Sequence, residues 1–339
     1  MSMKNSLFIL IAFVVLIISA CETDFELEGE WKDIPVVYTF LSEQDTAHYV
    51  RVEKIFLEPK GDATQIAQIA DSLYYKENQV TVSLETNGQS FILERVNAED
   101  EGYPRELGVF ANTPSYLYKL SADEVDLKEG QSFEIKIDRG TNTKLATASS
   151  QLLHKFELDG IPITGFLSFG DYIKTYRLSW RPGGDLARVF DLRLIFRYRE
   201  NSIEEPTVFV NKEVDWVLDD AFVRGDENTS LQTFRFKHEA FYQFLNSSIE
   251  AKPGITRKFD NIIFKVVAAG KEIEEYLRIA GANTGVTSSQ ALPIYSNVEN
   301  GLGVVTSRYT VLSEELSLDS RSRDSLMRSV VTGHLNFQP

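Results

Sequence analysis

The side chains that most often carry catalysis or bind metals are sparse and scattered in this 339-residue sequence. Zinc peptidases place two histidines one helical turn apart on a helix, so that both rings reach one ion. No histidine here stands in such a motif, and structural or surface roles are predicted instead. The single cysteine excludes a disulfide within the chain, a cysteine-based zinc site and CxxC redox chemistry. The histidines are His48, His154, His238 and His334.

Motifs for nucleophilic catalysis and nucleotide binding are incomplete. A nucleophile elbow has the order Gly-x-Ser-x-Gly, whereas the segment Gly165–Gly170 has one residue too many around Ser168. Gly301 and Gly303 begin like a dinucleotide-binding loop, but the third glycine and a βαβ context are lacking. A glycosidase needs two carboxylates across the scissile bond, which 50 acidic residues neither support nor exclude. We therefore predict no enzymatic activity and no cofactor, and a surface hydrolase remains an alternative.

One acidic cluster contains the oxygen ligands that calcium prefers. Its carboxylates surround Gly225, but they lack the Asp-x-Asp-x-Asp-Gly order of a calcium loop. A solvated loop is the simpler interpretation, so no metal site is predicted and calcium binding stays an alternative. The carboxylates belong to Asp215, Asp219, Asp220, Asp226 and Glu227.

Overall composition narrows the classes of partner. The net charge of −15 argues against non-specific nucleic-acid binding, which needs a basic surface. Aromatic residues make up 12% of the chain and could stack on sugars if exposed, although β-sandwich cores use the same residues to fill space. Trp180 is predicted to lie in a core, Trp216 is undecided, and Trp31 is predicted to be exposed.

The N-terminus has the pattern of an export signal. Lys4 precedes an apolar run at residues 7–18, which is shorter than the roughly 20 residues of a membrane-spanning helix. The sequence then continues Ser-Ala-Cys21 and resembles the bacterial lipobox, with Ile in place of the usual Leu. The resemblance implies that residues 1–20 form a removed signal peptide and that Cys21 carries lipid, which makes the bilayer a partner. An ordinary exported protein with a chance cysteine is the alternative.

An acidic segment follows the cysteine. Residues 21–30 are predicted to be a solvated tether, because five of the nine residues after the cysteine are acidic. The segment resembles the acidic export signal of Bacteroidota surface lipoproteins, carried here by Glu22, Asp24 and Glu26. That resemblance implies an outer-membrane protein facing the cell exterior, whereas a generic hydrophilic spacer is the alternative.

Three short triplets point to the same lineage. Each resembles the Asp-(Ser/Thr)-apolar acceptor for O-glycosylation in that phylum, which makes Thr46, Ser72 and Ser325 candidate glycosylation sites. Because triplets this short also arise by chance, they add little to the assignment.

The rest of the pattern predicts a mainly β protein with two β-sandwich domains of the immunoglobulin or fibronectin type. Residues 31–153 are predicted to form the N-terminal sandwich, because alternating strands recur with turns between them. Asn87-Gly88 between two such strands is typical of a type I′ hairpin. Residues 154–339 are predicted to form a C-terminal β-rich domain, in which the apolar run at residues 262–267 lies centrally in a sheet.

One or two short helices are predicted between the strands. Residues 62–75 place apolar side chains at helical spacing, Ile69 and Leu73 among them, with Asp62 as the N-cap. We expect this helix to pack on the edge of the sandwich, with partner binding as the alternative. Residues 236–245 predict a second helix.

Taken together, these features resemble the Bacteroidota lipoproteins grouped as domain of unknown function 4249. The resemblance is carried by the lipobox and its acidic segment, by the strands at residues 49–52 and 178–180, and above all by residues 294–305. It implies an accessory role beside TonB-dependent outer-membrane transporters, and thus an outer-membrane β-barrel partner. The polar, helix-like run at residues 319–328 departs from the family's pattern.

The most specific of these segments is also the candidate interaction site. It contains Ser296, Asn297, Gly301 and Gly303, although its glycines could equally close a tight corner of the second sandwich. The resulting expectation is a non-catalytic binding or accessory subunit of a TonB-dependent system, with an unknown ligand. A structural or assembly subunit of an envelope complex is the alternative. An exposed apolar or aromatic patch would favour the binding role.

Overall fold

β-strands dominate the structure, a computed structural model, and confirm the predicted mainly β fold class. No helix among the described residues is long and apolar enough to cross a membrane. The structure describes residues 33–55, 63–225, 231–282 and 294–339. In chain order its strands are β1 (Pro35–Leu41), β2 (Ala47–Lys54), β3 (Thr81–Thr86), β4 (Gln89–Ile92), β5 (Glu94–Asn97), β6 (Tyr116–Ser121), β7 (Ser132–Asp138), β8 (Ala146–Gln151), β9 (Glu157–Asp159), β10 (Phe166–Leu167), β11 (Thr175–Arg181), β12 (Val189–Ser202), β13 (Val210–Val223), β14 (Gln232–Lys237), β15 (Ile255–Ala269), β16 (Leu302–Leu312), β17 (Ser317–Leu318) and β18 (Phe337–Gln338). The α-helices are α1 (Ala63–Ala67), α2 (Ala70–Leu73), α3 (His238–Ser248), α4 (Lys271–Ala282) and α5 (Ser320–Arg328), and a 3₁₀ turn covers Gly333–Leu335.

The described strands form four sheets. A long sheet has the order β13-β12-β15-β16-β1-β2-β6-β5, with β18 beside β15. The others have the orders β4-β3-β7-β8, β14-β11-β9 and β10-β17. β15 lies between β12 and β16, which confirms the central position predicted from its continuous apolar run.

Local sequence explains the β3–β4 hairpin. Asn87 and Gly88 have φ angles of 50° and 75°, the left-handed values that both central residues of a type I′ turn require. Ser83 pairs with Ile92 and Thr86 with Gln89 in the resulting ladder. The predicted turn and register are therefore confirmed.

The long sheet joins the two halves of the chain. β1 pairs in parallel with β16, with Val36 opposite Leu302 and Leu41 opposite Ser307. The second half of β16, residues 308–312, pairs antiparallel with β15. One strand near the C-terminus therefore connects the strands of the first half of the chain with those of the second half. The predicted boundary at residues 153–154 stays a prediction.

Among the described residues, two large hydrophobic cores lie on this framework, and a small third cluster contains Leu73, Tyr74 and Ala111. In the first, β1 and β2 pack against β3, β7 and β8, with Val37, Val82 and Ile135 fully buried. β16 adds Val305 to this core. Two facing sheets with alternating inward residues form a β-sandwich.

The second core is rich in aromatic side chains. Trp180 on β11 is fully buried, as predicted, and lies against Phe190 with ring centroids 5.1 Å apart. Trp216 is partly buried and stacks on Phe244 of α3. Complete burial of side chains of this size stabilises the fold by roughly 2–3 kcal/mol each.

The helices differ from the sequence prediction in detail. The helix predicted at residues 62–75 is divided into α1 and α2, and Asp62 lies outside the described residues. Ile69 has extended φ and ψ angles between them and is 55% exposed, so the predicted apolar stripe is wrong at this residue. The second predicted helix is confirmed as α3, in which Phe241 and Leu245 are buried. α4 was not predicted.

Candidate binding groove

The residues of the predicted lipid anchor lie outside the described part of the chain. They are Cys21, Glu22, Asp24 and Glu26. Lipidation, export and the bilayer as partner therefore stay predictions.

The predicted interaction segment has well-defined structural contacts. The Asn297 side-chain amide donates to the Val305 carbonyl at 2.7 Å and accepts from the Val305 amide at 2.9 Å. Ser296 Oγ accepts from the Val298 amide at 3.1 Å. Gly303 has φ +116° and lies so close to β1 that a Cβ there would be 1.9 Å from the Val37 oxygen. This geometry favours the interpretation that the segment closes a tight corner, and its interaction role stays a prediction.

The glycosylation candidates differ in accessibility. Thr46 is exposed in the turn between β1 and β2, whereas Ser72 Oγ donates to the Ile66 and Ile69 carbonyls. Ser325 is half-buried within α5, where its carbonyl accepts from Thr332 Oγ1.

The acidic cluster near Gly225 is only partly described. Asp215 pairs with Arg193 at 3.0 Å, and Asp219 Oδ1 accepts from the Ala221 amide at 3.0 Å. Within the described ranges, no group of three or more His, Cys, Asp or Glu side chains could hold a metal ion. Asp226 and Glu227 lie outside those ranges, so calcium binding there is untested.

A groove with an aromatic floor lies on the outer face of the long sheet. Side chains alternate along β1, so that Val37 and Leu41 enter the core while Tyr38 and Phe40 point outward. Tyr38 is 42% exposed and Phe40 is 44% exposed. Because Tyr38 pairs with Arg51 on β2, the outward residues of β2 extend the same floor. The groove encloses about 270 Å³.

One wall of the groove is the loop after β5. Tyr103 of this loop meets Tyr49 edge to face, with ring centroids 5.0 Å apart and an interplanar angle of 61°. Tyr49 Oη donates to Glu101 Oε2 at 2.7 Å, and Lys119 Nζ donates to the same oxygen at 2.7 Å. These bonds fix the orientation of the Tyr49 ring, while Tyr103 remains 52% exposed.

Helix α4 packs on the neighbouring strand β16, and its Tyr276 lies close enough to Tyr38 to interact with it electrostatically. Two contacts hold the helix in place. Glu274 forms a bidentate ion pair with Arg188 at 2.7 and 2.9 Å, and Thr306 Oγ1 donates to the buried Glu272 Oε2 at 2.9 Å.

Burial raises the pKa of Tyr38, and the nearby Tyr276 and Glu53 raise it further. Tyr38 therefore presents a protonated phenol at neutral pH.

The charged side chains that line the groove form ion pairs. Arg308 Nη2 lies 2.6 Å from Asp45 Oδ1, and Arg51 Nη1 lies 3.5 Å from Glu53 Oε1. Burial, followed by the hydrogen bond to Glu101, raises the pKa of Tyr49 to about 12. The lining is therefore polar and hydrogen-bonding, and its one carboxylate and two guanidinium groups all take part in ion pairs.

Sequence reasoning located these strands without finding the groove. β1 carries large side chains on both faces, so the alternation alone does not tell which aromatic residues face solvent. The available signal was the pair Tyr38 and Phe40, which occupy positions i and i+2 opposite the aliphatic Val37 and Leu41.

A larger cavity of about 760 Å³ lies where the described chain begins. Three of its lining side chains bind one another: Tyr75 Oη donates to Asp33 Oδ1 at 2.6 Å, and Arg139 lies 3.4 Å from Asp33 Oδ2. Arg139 also donates to the Lys144 carbonyl at 2.6 Å. These contacts hold Asp33 against the end of β7, so we assign this cluster a structural role.

Comparison with known proteins does not assign the chain to a family. No protein-family model matches the chain, and no curated protein matches it in sequence. Among solved structures, an ice-binding, Ca²⁺-stabilised adhesin of an Antarctic bacterium matches over 84% of this chain and 48% of its own, with 13% identity and a TM-score of 0.19. The C-terminal globular domain of an oligosaccharyltransferase from Pyrococcus abyssi matches over 71% and 41%, with 10% identity and a TM-score of 0.20. The chain thus spans about half the length of these proteins or less, and superposition this poor carries no functional argument.

Proposed function

We propose that the protein is a non-catalytic binding subunit, held by lipid on Cys21 at the outer face of the outer membrane, where it serves a TonB-dependent transport system. The observation that carries the binding role is the aromatic groove, because exposed rings grouped on one rigid face are typical of interaction surfaces. The resemblance to the domain of unknown function 4249 lipoproteins supports the transport setting. The acidic residues Glu22, Asp24 and Glu26 support an exterior location.

The groove suits binding because its parts are already ordered. Its floor belongs to paired strands of the long sheet, and hydrogen bonds hold Tyr49 and the base of α4. A preformed site loses little conformational entropy when a ligand binds.

Membrane anchoring can be tested by Cys21→Ser in the full chain. The proposal predicts that the variant leaves the membrane fraction, whereas the wild type remains there and is degraded when intact cells are treated with protease. Retention of Cys21→Ser in the membrane, or protection of the wild type in intact cells, would contradict this part of the proposal.

A second candidate function, a structural or assembly subunit of an envelope complex, is favoured by a different surface. The turn joining β12 to β13 exposes apolar side chains, with Ile203 66% and Val208 53% accessible. β13 is also the terminal strand of the long sheet and offers an edge for pairing. Phe209 lies in this turn and is 42% exposed.

Affinity purification of tagged full-length protein from gently solubilised outer membranes separates the two candidates. The binding-subunit proposal predicts a TonB-dependent barrel at comparable stoichiometry, with Phe209→Ala giving the same result. A different envelope complex that is lost in Phe209→Ala would instead support the assembly role. Recovery of the protein alone would contradict stable docking.

A further inference from the structure

We infer that the aromatic groove binds an uncharged carbohydrate chain. This inference rests on the proposed binding function and names the class of its ligand. It follows from three properties of the groove, namely its rings, its polar rim and its charge balance.

The exposed rings provide flat apolar surfaces of the kind a sugar can cover. A pyranose ring presents C–H bonds on its faces and hydroxyls around its edge. Tyr38, Phe40 and Tyr103 each leave about half of the side chain accessible. Tyr38 and Phe40 lie two residues apart on one strand, and so roughly 7 Å apart along it. The two rings can therefore contact successive parts of an extended chain.

The rim supplies hydrogen-bonding groups for the hydroxyls. The ion pair Arg308–Asp45 places a planar donor beside a carboxylate acceptor, and Arg51 adds a second guanidinium to the lining. Such a pair can accept from one hydroxyl and donate to its neighbour, which is how polar side chains bind vicinal hydroxyls. Aliphatic peptide side chains would leave these groups without new partners.

The charge balance points to an uncharged ligand. Each charged lining residue, Asp45, Arg51 and Arg308, already forms an ion pair. The chain as a whole carries a net charge of −15, which disfavours the approach of an anionic polysaccharide. The volume of about 270 Å³ is close to the lower limit of small-molecule sites, which enclose roughly 300–1,000 Å³.

Isothermal titration calorimetry of the full-length lipoprotein in mild detergent tests the inference. The probes are maltoheptaose, cellohexaose, xylohexaose and mannohexaose, with the acidic hexamer of galacturonic acid as the charged comparison. We expect at least one neutral oligosaccharide to bind. Tyr38→Ala combined with Phe40→Ala should lower its affinity at least about tenfold, because both stacking surfaces are removed.

Two control variants make the result specific. Phe209→Ala removes a ring of similar exposure outside the groove and should leave the affinity unchanged. Tyr38→Phe keeps the ring and should retain most of the binding. Thermal melts of all variants should match the wild type, since the altered side chains are partly exposed.

Three outcomes would overturn the inference: no binding of any neutral probe, binding of the acidic hexamer alone, or binding that survives Tyr38→Ala with Phe40→Ala. Each of these outcomes can be told apart from a failure of the proposed accessory function. If the barrel still co-purifies with the wild type while no sugar binds, the accessory role stands and the carbohydrate class is wrong.

Discussion

Substitution of Gly303 by Ala tests whether the glycine-containing segment closes a corner of the fold. Gly303 has φ +116°, a backbone conformation that side chains rarely adopt, and imposing it on Ala costs about 1–3 kcal/mol. The new Cβ would lie 1.9 Å from the Val37 oxygen, whereas real Cβ contacts essentially never fall below 3.0 Å. β1 and β16 must therefore move apart.

The magnitude follows from what that movement breaks. Separating the strands by roughly 1 Å exceeds the tolerance of N–H···O bonds, each of which contributes about 0.5–1.5 kcal/mol. Loss of one or two bonds, added to the backbone strain, predicts a decrease of about 1.5–6 kcal/mol in the free energy of unfolding. Asn297→Ala, which removes both hydrogen bonds to Val305, should destabilise the same corner by about 2 kcal/mol.

Urea unfolding of the full chain, followed by circular dichroism, measures these changes. Gly225→Ala is the matched control, because a Cβ there meets nothing within 4 Å, and its effect should stay within about 0.5 kcal/mol. If Gly303→Ala unfolds at the wild-type urea concentration, the structural explanation is refuted. Loss of barrel binding by such a stable variant would then favour an interaction role.

Two further predictions concern buried ionisable groups. Arg257 is 1% exposed, pairs with Glu200 at 2.9 Å and donates to the Leu335 carbonyl. Because Arg257→Ala leaves this carboxylate and this carbonyl without their partner, it should lower the free energy of unfolding by about 3–5 kcal/mol in a urea titration. The matched control is Arg278→Ala, which removes an exposed arginine and should change the free energy of unfolding little. Burial lowers the pKa of both His48 and His238, so the unfolded chain binds more protons and stability should fall as the pH drops below about 6.5. Replacing both histidines by Gln should flatten the dependence of the melting temperature on pH between 5.5 and 7.5, and an unchanged slope would contradict this cause.

Locally encoded elements could be predicted from the sequence. The β3–β4 hairpin follows from Asn87-Gly88, and the central position of β15 follows from an apolar run that only a strand buried on both faces tolerates. Trp180 was assigned to a core because a large ring on an alternating strand is typical of sandwich interiors.

Features formed by distant parts of the chain could not be predicted in this way. The parallel pairing of β1 with β16 joins residues more than 250 positions apart, and no local pattern specifies that partner. The groove depends on this pairing, because Arg308 of β16 forms part of the lining beside Tyr38 and Phe40 of β1. Ile69 was wrongly placed on a buried stripe because the break between α1 and α2 depends on tertiary packing rather than on spacing.

The aromatic groove is the surface through which we propose that the protein acts. Hydroxyl-radical footprinting can test it by comparing the protein in native outer membranes with the same protein purified alone. We expect Tyr38, Phe40 and Tyr103 to be protected in the membranes, whereas the exposed Ile163 and Ile173 should react equally in both samples. Equal reactivity of the three rings in both samples, or protection confined to Phe209, would contradict it.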